Sequence, residues 1–149
     1  MSEARFGQIK LRAFVKSKKE MVYPNDQKSI LIGGSSEAIL EIDSPNIVYA
    51  SGDDVVIMKS TGWRDNKLTD IYEGDLLFST RSLKGGVLPI VGVVNARDFS
   101  FAVNTGSGVF YFDYGDKNIT VLGNIFENTD EELAERTRNI LAKFSEKKS

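Results

Sequence analysis

The sequence predicts a mainly β fold, a small closed barrel or sandwich that ends in one α-helix. Three observations carry this expectation. From Leu76 to Phe126, short apolar segments alternate with turn formers at close, even spacing. The first 58 residues hold further short segments rich in β-branched side chains. Residues 129–144 alone combine a capping signal with an apolar face at helical spacing.

Taken in order, Ile9–Val15 mostly alternates apolar and basic residues and reads as a strand with one buried face. Lys16–Glu20 is a polar turn, and Met21-Val22-Tyr23 returns as a second strand that Pro24-Asn25-Asp26 ends, giving a hairpin. Ile30-Leu31-Ile32, Ala38–Ile42 and Asn46–Tyr49 are further short strands. Ser51–Asp54 is a turn, and Val55–Met58 is a buried strand. Thr61-Gly62 and Asp65-Asn66 are turn formers. In Glu73-Gly74-Asp75, Gly74 is free to take positive φ and Asp75 to accept nearby backbone N–H groups, so a tight turn precedes the strand at Leu76-Leu77-Phe78.

Arg81–Gly86 forms a basic loop tip. A meander follows over Ile90–Val94, Phe99–Val103, the aromatic strand Val109–Tyr114, and Ile119–Phe126, with Gly115–Asn118 as a turn. Thr129 and Glu132 form a capping box, and Leu133, Ile140, Leu141 and Phe144 line one helical face. Glu146–Ser149 is expected as a solvated tail. A composition shift near residue 58 divides the chain into an N-terminal β subdomain (1–58), a barrel core (59–128) and an amphipathic helix with its tail (129–149), expected to form one compact unit.

Composition sets limits on chemistry. The chain has 149 residues, 41% of them hydrophobic and 27% charged, as in an ordinary globular domain. It contains no cysteine, which removes disulfides, thiolate nucleophiles and iron–sulfur ligation. It contains no histidine either, so a Ser-His-Asp triad and a His-ligated metal are ruled out within one chain. Carboxylate and lysine chemistry survive. No apolar run reaches the roughly 18–20 residues of a membrane span, and the N-terminus lacks a signal-peptide core. The chain is expected in the cytoplasm.

The net charge of −2 does not suit a generally basic nucleic-acid binder. Its distribution is uneven. Residues 1–24 carry Arg5, Lys10, Arg12, Lys16, Lys18 and Lys19 against Glu3 and Glu20, whereas residues 25–58 carry six acids against Lys28. The simpler reading sets the two segments against each other, and the sharper one makes the first a phosphate-contacting arm.

Asp65, Asp70, Glu73 and Asp75 form the densest acid cluster, but turn geometry accounts for Asp65 and Asp75, and the spacing matches no known calcium loop. No metal or cofactor is assigned. Trp63 reads first as a cover over one end of the barrel core and second, beside Arg64, as a contact residue. Arg81 and Lys84 sit on a glycine-flanked loop suited to phosphate contact or to plain solvation. The aromatic residues between Phe99 and Tyr114 occupy both faces of their strands, so one set is core and the other is free for a ligand or the helix.

Four segments resemble a known family. They are Arg12-Ala13-Phe14 with Met21-Val22-Tyr23-Pro24, Thr61-Gly62-Trp63-Arg64-Asp65, Ile71-Tyr72-Glu73-Gly74-Asp75-Leu76, and Gly123-Asn124-Ile125-Phe126-Glu127-Asn128. In this order they resemble the YopX-like family of phage and prophage proteins. Trp63 stands where leucine is usual, Leu68-Thr69-Asp70 alters the spacing before Ile71, and the terminal helix is longer than expected. The resemblance implies an SH3-like barrel or roll and a phage or prophage origin. It implies no reaction and no catalytic residues.

The functional expectation is a non-catalytic binding module for a host or phage protein, acting in the host bacterial cytoplasm. Its contact surface is assigned to Trp63, Arg64, Tyr72, Arg81 and Lys84. A nucleic-acid-binding barrel is the second reading and a carboxylate-only enzyme the third. Self-association through the terminal helix or an edge strand is compatible with each.

Overall fold

The fold comes from a computed structural model, which describes residues 10–25, 28–32, 38–42, 47–97 and 100–148. The chain divides into two compact units, Met1–Ser60 and Thr61–Ser149.

In the first unit, β1 (Leu11–Val15) and β2 (Glu20–Val22) form the expected hairpin, with Ala13 opposite Val22. The other edge of β1 pairs with β6 (Val55–Arg64), from Leu11 opposite Lys59 to Val15 opposite Val55. A strand paired on both edges has little exposure to lose, and β1 is buried from Arg12 to Val15 rather than on alternate residues. A second meander joins β3 (Lys28–Ile32), β4 (Ala38–Ile42) and β5 (Ile47–Ser51). The 3-10 turn Gly52–Asp54 leads into β6. Ala13, Val15, Val22, Leu40, Ala50 and Val55 make this unit's core.

β6 continues through Thr61 and Gly62, where turn formers predicted a break. Gly62 absorbs the distortion at φ +83°, and the Trp63 N–H donates to Thr61 Oγ1 at 3.0 Å.

In the second unit, β7 (Asp70–Tyr72) leads through the predicted tight turn into β8 (Asp75–Leu83). Gly74 has φ +89°, and the Tyr72 N–H donates to the Asp75 carboxylate at 2.8 Å. β9 (Gly86–Arg97), β10 (Ser100–Asn104), β11 (Val109–Tyr111) and β12 (Asp116–Asn124) complete an antiparallel sheet in the order β11-β10-β9-β8-β12. Phe99, placed in a strand by its alternation, lies outside the described residues. Pro89 falls inside β9 because β10 pairs only with residues 93–97, so Pro89 owes no N–H to that neighbour.

The sheet curls as a half-barrel, the small β-barrel roll expected from sequence. Ile71, Leu77, Ile90, Val94 and Val103 fill it. The helix α1 (Asp130–Lys148) packs against β8, β9 and β12 of the same unit. Leu133 is buried, and Phe144 meets Phe78 edge-on at 6.2 Å between centroids. The capping box is present in both directions: Thr129 N–H to Glu132 at 2.8 Å and Glu132 N–H to Thr129 Oγ1 at 3.1 Å. The helix runs on to Lys148, past the expected start of a tail, because Glu146, Lys147 and Lys148 are good helix formers. Among the described residues, no helix is long and apolar enough to cross a membrane.

Candidate interaction surface

Trp63 lies near the end of β6, half-buried against the core of the second unit. Its ring stacks on Phe112, with centroids 5.3 Å apart and planes 20° apart, and leans on Tyr114 at 5.0 Å. Tyr114 is 95% exposed. The three rings thus form a ladder from the core to water.

The turn that carries Tyr114 is tightly tied. The Asp113 N–H donates to the Asp116 carboxylate at 3.0 Å, Gly115 N–H to the Asp113 carboxylate at 2.8 Å, and Asp116 N–H to the Asp113 carbonyl at 2.9 Å. These bonds end β11 at Tyr111, three residues short of the predicted aromatic strand, and let β12 begin at Asp116. The bonds fix the backbone of the turn, which presents the Tyr114 ring to solvent against Trp63. Sequence reasoning grouped Tyr114 with the strand aromatics and missed its place on the turn. The signal available was its place within Asp113-Tyr114-Gly115-Asp116, a turn sequence.

Arg64 is exposed beside the ladder, and its Nε donates to Asp70 at 3.2 Å. Arg81 is otherwise engaged. Its guanidinium forks onto Asp116 at 2.7 and 3.2 Å, donates to the Tyr111 carbonyl at 2.7 Å, and lies over the Phe110 ring. The Asp116 hydrogen bond raises the guanidinium pKa further above its ordinary value, so the charge is permanent but committed. Lys84 stands exposed at the β8–β9 tip.

Tyr72, assigned to the contact surface from sequence, is a correction. It is 6% exposed, because its strand enters the core between Ile71 and the Gly74 turn. It offers no contact surface.

The acid cluster works mainly as turn scaffolding. One Asp65 oxygen accepts the N–H groups of Lys67 and Thr69, both at 2.9 Å, and the other accepts Val121 N–H at 3.3 Å. Asp75 closes its own turn, and Asp70 pairs with Arg64. Among the described residues, no group of three or more carboxylates is gathered as a metal site.

In the first unit, the basic turn meets acid. Asp54 accepts the Ser17 N–H at 2.8 Å and its hydroxyl at 2.6 Å. The Ser17 hydroxyl bond, then its N–H bond, with Lys18 and Lys16 adding smaller attraction, hold the Asp54 carboxyl below its ordinary pKa. Lys18 lies over the Tyr49 ring at 4.6 Å. Arg12 is 3% exposed and donates to the Tyr23 hydroxyl. Arg12 is therefore no part of an exposed basic arm.

The segments that carry the family resemblance are scaffold. Asn124 is the register partner of Asp75, and Ile125 N–H donates to the Gly74 carbonyl at 3.0 Å. The Asn124 side-chain oxygen accepts the N–H groups of Phe126 and Glu127, and its amide donates to Glu127. Gly123 has no room for a side chain, since a Cβ there would meet Asn128, Arg136 and Leu133. Two of the resemblance segments, distant in sequence, thus knot together beneath the helix start.

No curated protein matches the chain. Among solved structures it is similar to the crystal structure of protein EF1440 from Enterococcus faecalis, at 22% identity and a TM-score of 0.48, over 84% of this chain and 98% of that one. The YopX protein family model matches residues 10–131, which include all four segments, and the chain belongs to that family.

Proposed function

We propose that the chain is a non-catalytic binding module of phage or prophage origin that docks a host or phage protein in the bacterial cytoplasm. The contact surface in this reading is the Trp63–Phe112–Tyr114 ladder, with Arg64 at its rim. The observation that carries it is the 95% exposure of Tyr114 on a turn held by three hydrogen bonds. Solvent-facing aromatic rings with little conformational freedom are typical anchors of protein interfaces. The absence of histidine and cysteine from the sequence further favours recognition over chemistry.

The test compares tagged wild-type chain with Tyr114→Ala in pull-downs from host lysate, each with and without nuclease. A protein retained by wild type after nuclease and lost from Tyr114→Ala supports the reading. Partners that vanish with nuclease overturn it in favour of stacking on single-stranded nucleic acid, and salt titration on defined DNA and RNA then measures the phosphate contribution.

A further inference from the structure

A separate cleft of about 180 Å³ opens in the second unit between the C-terminal half of α1 and the strands β8 and β12. Phe78, Ile140 and Phe144 supply its apolar wall. Asn66, Asn118, Thr120 and Lys143 bring polar groups to it.

The backbone creates the opening. β12 slips register against β8 between Lys117 and Thr120, and Asn118 sits in that slip at φ +56°. Asparagine is among the few residues that accept a left-handed conformation at low cost. A bulge of this kind bends a strand and re-aims its side chains. The Asn118 amide donates to Thr80 Oγ1, and Thr120 Oγ1 donates to the Asn118 carbonyl, so the slipped segment is fixed.

Two groups at the cleft are unspent. Asn66 gives its backbone N–H to the Ile119 carbonyl, but its side-chain amide has no partner among the described residues. Lys143 makes no ion pair among the described residues. The site therefore joins an aromatic wall to one ammonium and one amide. A dry cavity of about 150 Å³ is known to accept benzene. The cleft here has a similar volume but is open where the exposed Asn66 and Lys143 stand, so a ring can lie on the apolar wall while the charge on Lys143 selects an anionic substituent.

The geometry points to this cleft as a binding site for a small aromatic carboxylate. The ring packs among Phe78, Phe144 and Ile140. The carboxylate pairs with Lys143 Nζ and accepts from the Asn66 amide. This site is independent of the aromatic ladder, and the two stand or fall separately.

Benzoate is the probe, titrated into the full chain and followed by backbone amide shifts and by saturation transfer to the ligand ring. Benzamide has the same shape without the charge. Saturable benzoate binding is expected, with the largest shifts at Asn66, Asn118 and Thr120. Benzamide is expected to bind at least about tenfold more weakly, the usual cost of losing a charge-assisted hydrogen bond. Lys143→Met keeps the aliphatic stem at an exposed position, and it should weaken benzoate by a similar factor with the remaining spectrum unchanged. Ile140→Trp should occlude the ring position and abolish binding. Failure of benzoate to saturate, equal binding of benzamide, or an unchanged affinity in Lys143→Met each overturns the assignment.

Discussion

Arg81 and Asp116 are register partners on β8 and β12, and the arginine forks onto the carboxylate while its remaining nitrogen reaches the Tyr111 carbonyl. One side chain thus ties three strands of the half-barrel. The Asp116 side chain is only 4% exposed. Arg81→Met leaves that carboxylate with the Asp113 N–H but no opposite charge, and should cost about 3 kcal/mol. Arg81→Lys keeps the charge without the fork and should fall between this variant and wild type. Urea unfolding of the three chains checks the order.

Gly123 has φ +151°, and a Cβ there would press on Asn128, Arg136 and Leu133 at once. Gly123→Ala should destabilise the chain by about 3 kcal/mol, from backbone strain together with overpacking. Gly85 is the control, because a Cβ there meets nothing although its φ is +95°. Its alanine variant should cost about 1–2 kcal/mol from the backbone alone. Thermal unfolding separates the two contributions.

Acid should weaken the fold through two identifiable carboxylates. The Thr129 N–H bond, followed by the Asn128 side chain, holds Glu132 below its ordinary pKa of 4.5, and Ser17 does the same for Asp54. A group whose pKa is lower in the folded chain stabilises it above the unfolded value. That contribution disappears as pH falls through the folded value. Melting temperatures from neutral to acidic pH should show the decline. Glu132→Gln and Ser17→Ala should each flatten part of it, and Glu132→Gln should also reduce helical circular dichroism at neutral pH.

Leu133 and Tyr114 should separate stability from recognition. Leu133 is a buried residue of α1, so Leu133→Ala should cost about 2–3 kcal/mol in chemical denaturation. Tyr114 gives up only its contact with Trp63, so Tyr114→Ala should cost less than about 1 kcal/mol while removing partner capture.

The features legible in the sequence were those closed within a few residues. The Thr129–Glu132 box and the Tyr72–Asp75 turn each close over three positions, and each has a chemical signature readable from its own few residues. The Trp63–Tyr114 contact joins residues about fifty apart, and no spacing rule announces it. Arg81 read as a free cation because its partner Asp116 lies on another strand. Tyr72 read as exposed because a three-residue strand gives too little pattern to tell its faces apart. Thr61-Gly62 read as a turn because a glycine that bends a strand and a glycine that ends one look alike in sequence.

β11 terminates its sheet, and an unpaired strand edge is a template on which a neighbouring chain can add its own strand. The Tyr111 carbonyl on that strand is already occupied by Arg81. The same guanidinium that holds the half-barrel therefore also takes up one acceptor on that terminal strand. Loss of Arg81 should shorten the time the protein stays clear in concentrated solution, beyond what its lost folding energy alone would explain.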